Sequence, residues 1–173
     1  MTSNQEDAVT ETSTFDQTQT DQTEDQGQDQ PHPSLRCLDV LVGTWRVSGG
    51  EPGTKEEITG TSTYEWMEGG FYLVQHVDMV HGGRPVRGVE YIGYDPEAGT
   101  LRSYFFGNQS PGPFARVALE YVYEVTDDTI TIWGGDIGSP AAYRATFRDG
   151  RDSFAGAWEW PGGGYEATST RTG

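Results

Sequence analysis

The chain has 173 residues, 34% hydrophobic and 22% charged, with a formal net charge of −16 at pH 7. That length suits one domain. The first thirty residues hold eight acids and no base, so half of the charge sits there. Neither part has the clustered Lys and Arg that phosphate backbones or anionic lipid surfaces require, so nucleic acid and membrane are not expected as partners.

Cys37 is the only cysteine, which excludes an intrachain disulfide. The N-terminus has neither a basic start nor an apolar run, and no segment approaches the ~20 apolar residues of a membrane-spanning helix. The expected location is cytoplasmic.

Residues 1–33 are mainly Gln, Thr, Asp, Glu and Ser. Such a segment buries too little apolar surface to offset its ordering entropy, and is expected to be a disordered, solvating acidic tail. Residues 34–173 are expected to form one domain. In "SLRCLDVLVG", Ser34 offers a cap and Leu35, Leu38, Leu41 and Val42 an apolar stripe, which predicts a short amphipathic helix ended by Gly43.

Ten runs rich in β-branched and aromatic residues follow, at about 44–49, 55–66, 70–80, 86–94, 100–107, 114–126, 129–134, 141–148, 152–160 and 164–172. The links between them are as short as "EGG", "HGGRP", "TDD" and "WPGGG", and short links join antiparallel neighbours. A meander this long avoids open edges by closing. The expected fold is all-β: a ten-stranded antiparallel up-and-down barrel with a short N-terminal helix.

Each hairpin turn sets a register, and register sets which residues share a face. "FRDGRDSF" pairs Ala145 with Phe154, and "WPGGGY" pairs Trp160 with Tyr165 and Phe154 with Arg171. "VTDDTI" pairs Tyr123 with Ile132. "YDPEAGTL" pairs Ile92 with Ser103 and Glu90 with Phe105. "MVHGGRPV" pairs Gln75 with Glu90, and "WMEGGF" pairs Ser62 with Gln75. Together they define an inner face with Val117, Leu119, Tyr121, Tyr123, Ile130, Ile132, Tyr143, Phe154 and Trp158. The outer face carries Arg116, Glu120, Glu124, Arg144 and Glu159, with Asp78 beside Arg87.

His76 falls on the outer face, His32 in the tail and His81 in a turn. No histidine pair shares a site, so no metal is expected. No phosphate-cradling glycine loop and no Ser-His-Asp order is present. The inner face has one polar interruption: Ser62, Gln75 and Glu90 in a row, with Ser103 one strand on. A buried carboxyl is costly unless paired or protonated, so this row is either a hydrated interior patch or the polar anchor of a ligand.

Gly43-Thr44-Trp45 at the first strand and Arg171 on the last resemble the calycins, the lipocalins and fatty-acid-binding proteins among them. In those barrels a Gly-x-Trp strand and a late Arg close one end. The resemblance implies a lipocalin-like barrel with Gly43, Trp45 and Arg171 as its closure. "LVGTW", "GTSTYEWMEGGFYLV", "GVEYIGYDPEAGTLRSYFF" and "TSTRT" are similar to a bacterial family of domains of unknown function numbered 1579, over about residues 38–172. Haem-binding nitrobindin-like barrels also begin with Gly-x-Trp, but use a histidine late in the chain. None follows His81 here, so haem, and any other cofactor, is not expected.

The leading expectation is a barrel that holds a small hydrophobic or aromatic molecule. Tyr64, Trp66, Phe105, Tyr121, Tyr123, Tyr143 and Trp158 would supply area, and Ser62, Gln75, Glu90 and Ser103 orientation. The alternative is a small barrel enzyme of cyclase, isomerase or decarboxylase type. Glu90 would be its general acid or base, and Tyr121 or Tyr143 would stabilise an oxyanion. A structural or partner-binding module using the acidic tail or the outer face ranks third.

Overall fold

The computed structural model describes residues 30–109 and 117–173. Ten antiparallel strands close into one barrel, each beside its sequence neighbour and the last beside the first. They are β1 Gly43–Gly50, β2 Glu57–Trp66, β3 Tyr72–His81, β4 Arg84–Asp95, β5 Thr100–Gly107, β6 Leu119–Val125, β7 Thr129–Gly134, β8 Ala142–Arg148, β9 Ser153–Trp160 and β10 Gly163–Arg171. Every strand predicted from alternation and turns is present. Closure leaves no edge strand to pair with another chain. No helix among the described residues is long and apolar enough to cross a membrane.

The N-terminal helix is a 3₁₀ helix, Pro33–Leu41. Its buried residues are Leu35, Leu38 and Leu41. Their spacing of three is the period at which 3₁₀ side chains eclipse, so one ridge of leucines faces the barrel. The cap is His32, whose Nδ1 accepts from the Ser34 N–H at 3.3 Å, and not Ser34 as expected. Pro33 accounts for the shift, because its fixed φ suits the first helical position and it has no N–H to satisfy. The His32 ring also stacks on Tyr94 with centroids 3.5 Å apart. The packed unit therefore begins before residue 34. The tail assigned to 1–33 lies, up to residue 29, outside the described residues.

Three hairpins differ in register from the sequence reading, each by two residues. Ala145 pairs with Gly156 and Tyr143 with Trp158, because residues 149–152 form a wider turn than Asp149-Gly150 alone. Trp160 pairs with Gly163 and Phe154 with Ser169, through a tighter turn than expected. Ser62 pairs with Val77, and Tyr64 with Gln75. A two-residue slip keeps every side chain on its face, since the strand period is two. The pairings Tyr123–Ile132, Ile92–Ser103, Glu90–Phe105 and Gln75–Glu90 stand as read. Arg87 Nε lies 3.0 Å from Asp78 Oδ1 on the outside. Val117, expected inside, precedes β6 and is 76% exposed, because the strand begins at Leu119. Arg116 lies outside the described residues.

One end of the barrel is sealed. Trp45 is fully buried and donates from Nε1 to the Leu41 carbonyl at 2.7 Å. The Arg171 guanidinium lies over the Trp45 ring, 4.2 Å from its centroid. Arg171 also donates to the carbonyls of Val42 and Val40, the latter at 2.8 Å, and to Asp152 at 3.2 Å. Trp66 Nε1 donates to Asp39 at 2.9 Å and pins the helix against the same end. Gly43, at φ +124°, has no room for a side chain: a Cβ would sit 2.6 Å from the Gly173 oxygen and 2.8 Å from Arg171 Nη1.

Arg171→Ala is expected to lower stability by about 1–3 kcal/mol, since it removes the stacking and strips donors from two helix-end carbonyls. Urea denaturation monitored by intrinsic tryptophan fluorescence measures this, and a loss below about 0.5 kcal/mol, the scale of ordinary surface substitutions, would show that the clamp does not hold the end closed.

Candidate functional site

The other half of the barrel interior holds a cavity of about 300 Å³, partly open to solvent. The alternation that builds the strands also builds its wall, since every second residue points inward. Tyr64 comes from β2, Gln75 from β3, Glu90 from β4, Phe105 from β5, Tyr121 and Tyr123 from β6, Tyr143 from β8 and Trp158 from β9, and all line it. Ser62 lines it too, whereas Ser103 is buried behind Glu90. Trp66, grouped with these aromatics from the sequence, packs instead against the sealed end. Tyr165 on β10 also lines the wall and was missed. The signal was present: a closing strand contributes to the interior as any other does, and Tyr165 shares the parity of Ala167 and Ser169.

Trp158 is the centre of the aromatic side. Its ring centroid lies 5.6 Å from Tyr121 and 5.8 Å from Tyr143, both tilted. Phe105 fits against β4 because Gly88 has no side chain there; any Cβ would collide with the ring.

Glu90 is 4% exposed. Its Oε1 accepts from the Tyr123 hydroxyl at 2.9 Å and, more closely, from the Ser103 hydroxyl. The sequence row made Gln75 its partner. Instead the Gln75 amide donates to Ser62 Oγ at 2.6 Å. After the two-residue slip of β2 Ser62 lies diagonal to Gln75, still within reach of its long side chain. The polar groups thus split into two sets, Ser62–Gln75 and Glu90–Ser103–Tyr123.

Burial raises the Glu90 pKa to about 7, and the hydrogen bonds from Ser103 and Tyr123 offset only part of that rise. Burial likewise raises the hydroxyl pKa values of Tyr64, Tyr121, Tyr123 and Tyr143, and the Glu90 charge adds to the rise for the first three. These tyrosines are therefore neutral hydrogen-bond donors near neutral pH.

Other features lack the burial and convergence of this site. His76 is exposed and 3.2 Å from Glu65, as a solvated strand histidine. His81, read as a turn residue, ends β3 and meets the Tyr165 ring edge-on at 5.3 Å. Its Nε2 is 3.4 Å from Glu51, too poorly aligned for a hydrogen bond, and Glu56 joins them within 4.8 Å. Glu56 is exposed, and the buried His81 Nε2 is left without a hydrogen-bond partner among the described residues. A wider groove of about 680 Å³ crosses the outside of β1, β8, β9 and β10, lined by small residues such as Gly49, Ala155 and Ala157 with Arg144, Arg148 and Glu166. It gathers no buried polar group, and the smaller interior cavity is the stronger site.

Residues 30–114 match the family described as "Protein of unknown function (DUF1579)". The match runs from the helix through β5 and leaves the C-terminal strands uncovered. Among curated proteins, none matches. Among solved structures, the chain is similar to a designed protein whose title reads "De novo design of a fluorescence-activating beta barrel", at 16% identity and a TM-score of 0.43, over 79% of this chain and 97% of that one.

The Glu90 shift fixes the sign of a pH dependence. In the unfolded chain the carboxyl ionises near its ordinary 4.5, while in the barrel it keeps its proton to about 7. Between those values the folded state binds more protons, so this group's contribution to stability falls as pH rises through the window and is constant above it. The linkage amounts to roughly 3 kcal/mol. Glu90→Gln cannot titrate. Its stability relative to wild type should therefore improve by that order between pH 4.5 and pH 8, read from denaturant midpoints. A difference that does not vary with pH would put the carboxyl in solvent.

Proposed function

We propose that this protein is a non-enzymatic binding barrel that holds a small, mainly apolar or aromatic molecule in its interior. The observation that carries the reading is the pairing of an aromatic wall with one convergent polar group in a partly open cavity of about 300 Å³. That volume is at the low end of small-molecule sites. Aromatic rings offer large contact area at low entropic cost, and Glu90 with Tyr123 and Ser103 offers orientation.

The pKa of about 7 at Glu90 favours a second reading, a small barrel enzyme with Glu90 as general acid or base. The raised tyrosine hydroxyls fit oxyanion donors but not bases. Glu90→Gln separates the two readings. In a binder it changes affinity alone; in an enzyme it abolishes turnover while substrate still binds.

Binding in the interior should quench or shift Trp158 emission. Titration with a panel of lipophilic and aromatic compounds is expected to yield dissociation constants of about micromolar order, corresponding to roughly 8 kcal/mol. Val77→Phe, which projects a ring into the same space, should weaken them at least tenfold while the barrel stays folded, at a cost of about 1–3 kcal/mol in overpacking. No saturable change with any compound, or an affinity indifferent to Val77→Phe, overturns interior binding.

A further inference from the structure

Among the described residues that line the cavity, Glu90 is the only acid or base of the Asp, Glu, His, Lys and Arg types. This asymmetry narrows what the cavity can accept. Arg171, the inward-facing cation of β10, is committed to Trp45 and to the Val40 and Val42 carbonyls at the sealed end. Among the described residues, both hydrogen bonds to Glu90 fall on Oε1, from Ser103 and Tyr123. No described donor reaches Oε2. Facing Glu90 from the neighbouring strands are Gln75, Tyr64, Phe105 and Tyr121, all uncharged in their ordinary states.

A carboxylate in such a place needs either a proton or a counter-ion. A carboxylate ligand, such as a fatty acid, would bring a second like charge into a space with no cation among the described residues. A neutral ligand leaves the carboxyl to its proton. An ammonium supplies the missing charge, and the surrounding rings have the electron-rich faces that attract it. Trp158 is the best of the aromatic types for this, and Tyr121 and Tyr143 stand beside it at 5.6 and 5.8 Å. The net charge of −16 adds a field that draws cations toward the protein.

Resting on the interior-binding reading above, we infer that the cavity selects a small lipophilic amine, with its ammonium group on Glu90 and its apolar body against Tyr121, Tyr143 and Trp158. Binding then requires ionised Glu90. Below the carboxyl's own pKa the free protein must release one proton for each amine bound, so affinity falls as pH falls.

The test uses four probes of one shape: 2-phenylethylamine, 2-phenylethanol, 4-phenyl-2-butanone and 3-phenylpropanoate. Each is titrated into the full chain by calorimetry at pH 6 and pH 8. The amine is expected to bind at least tenfold more tightly than the alcohol at pH 8, and the acid most weakly. Amine affinity should drop about tenfold per pH unit below 7. Heats measured at pH 6 in buffers of different ionisation enthalpy should show close to one proton released, a readout that needs no variant. Glu90→Gln, nearly the same in shape, should remove the preference for amine over alcohol and leave alcohol binding in place. Equal affinity for amine and alcohol, with either bound, overturns the amine assignment alone. So does ketone affinity that exceeds that of the amine and rises as pH falls, which would make Glu90 a neutral donor. If none of the four probes binds and Trp158 emission answers no other compound, the interior-binding reading falls as well.

Discussion

The barrel depends on joining its first strand to its last, and that joint is built around one indole. Trp45 and Arg171 are direct partners in the β1–β10 ladder. The guanidinium does two kinds of work in one place: it lies over the ring, and it fills the acceptors left at the end of the 3₁₀ helix. Helix ends leave carbonyls without internal partners, and burying them unsatisfied is costly. Arg171 satisfies them from the opposite end of the chain. The backbone continues the joint, since Thr44 N–H donates to the Gly173 oxygen at 2.8 Å and Thr172 N–H to the Thr44 oxygen at 2.8 Å. Long-range closure of this kind is entropically demanding in the unfolded chain, so several contacts converge where the ends meet.

That joint also divides the interior. The leucine ridge of the helix, Trp45 and Phe154 fill the sealed end, with the Trp45 and Phe154 rings 4.8 Å apart. The one inward-facing arginine of the last strand is used there. The open half is left with polar hydroxyls, an amide and a single carboxyl, and its electrostatics follow from where the arginine was placed.

Much of this was legible in the residues. Alternation and turn residues located all ten strands, because most links are short and each strand carries β-branched or aromatic residues. The face of each paired residue was also legible, even where the partner was not. The turns at 149–152, 161–162 and 67–71 differ in width from the sequence reading, and width changes register in steps that here preserve parity. What alternation could not supply was side-chain direction. Gln75 sits opposite Glu90 but bonds to Ser62, its diagonal neighbour on β2. Nor could it reveal a second apolar cluster on the outside of the barrel, where Val122, Trp133 and Ala142 are buried at the parity expected of solvent-facing residues. Covering an outer face is a tertiary event with no periodic signature.

The same register gathers small residues in one row. Across β8, β9, β10 and β1, Ala145 pairs with Gly156, Gly156 with Ala167, and Ala167 with Gly49. This inner row is made of four small residues. On its sealed side lies the row of Phe147, Phe154 and Ser169, and on its open side the row of Tyr143, Trp158 and Tyr165. Of this row Ala167 lines the cavity, while Gly49 and Gly156 border the outer groove. The glycines are also required by the backbone, since a Cβ at Gly156 or Gly49 would run into the neighbouring strand. Close approach of the strands thus keeps this row small.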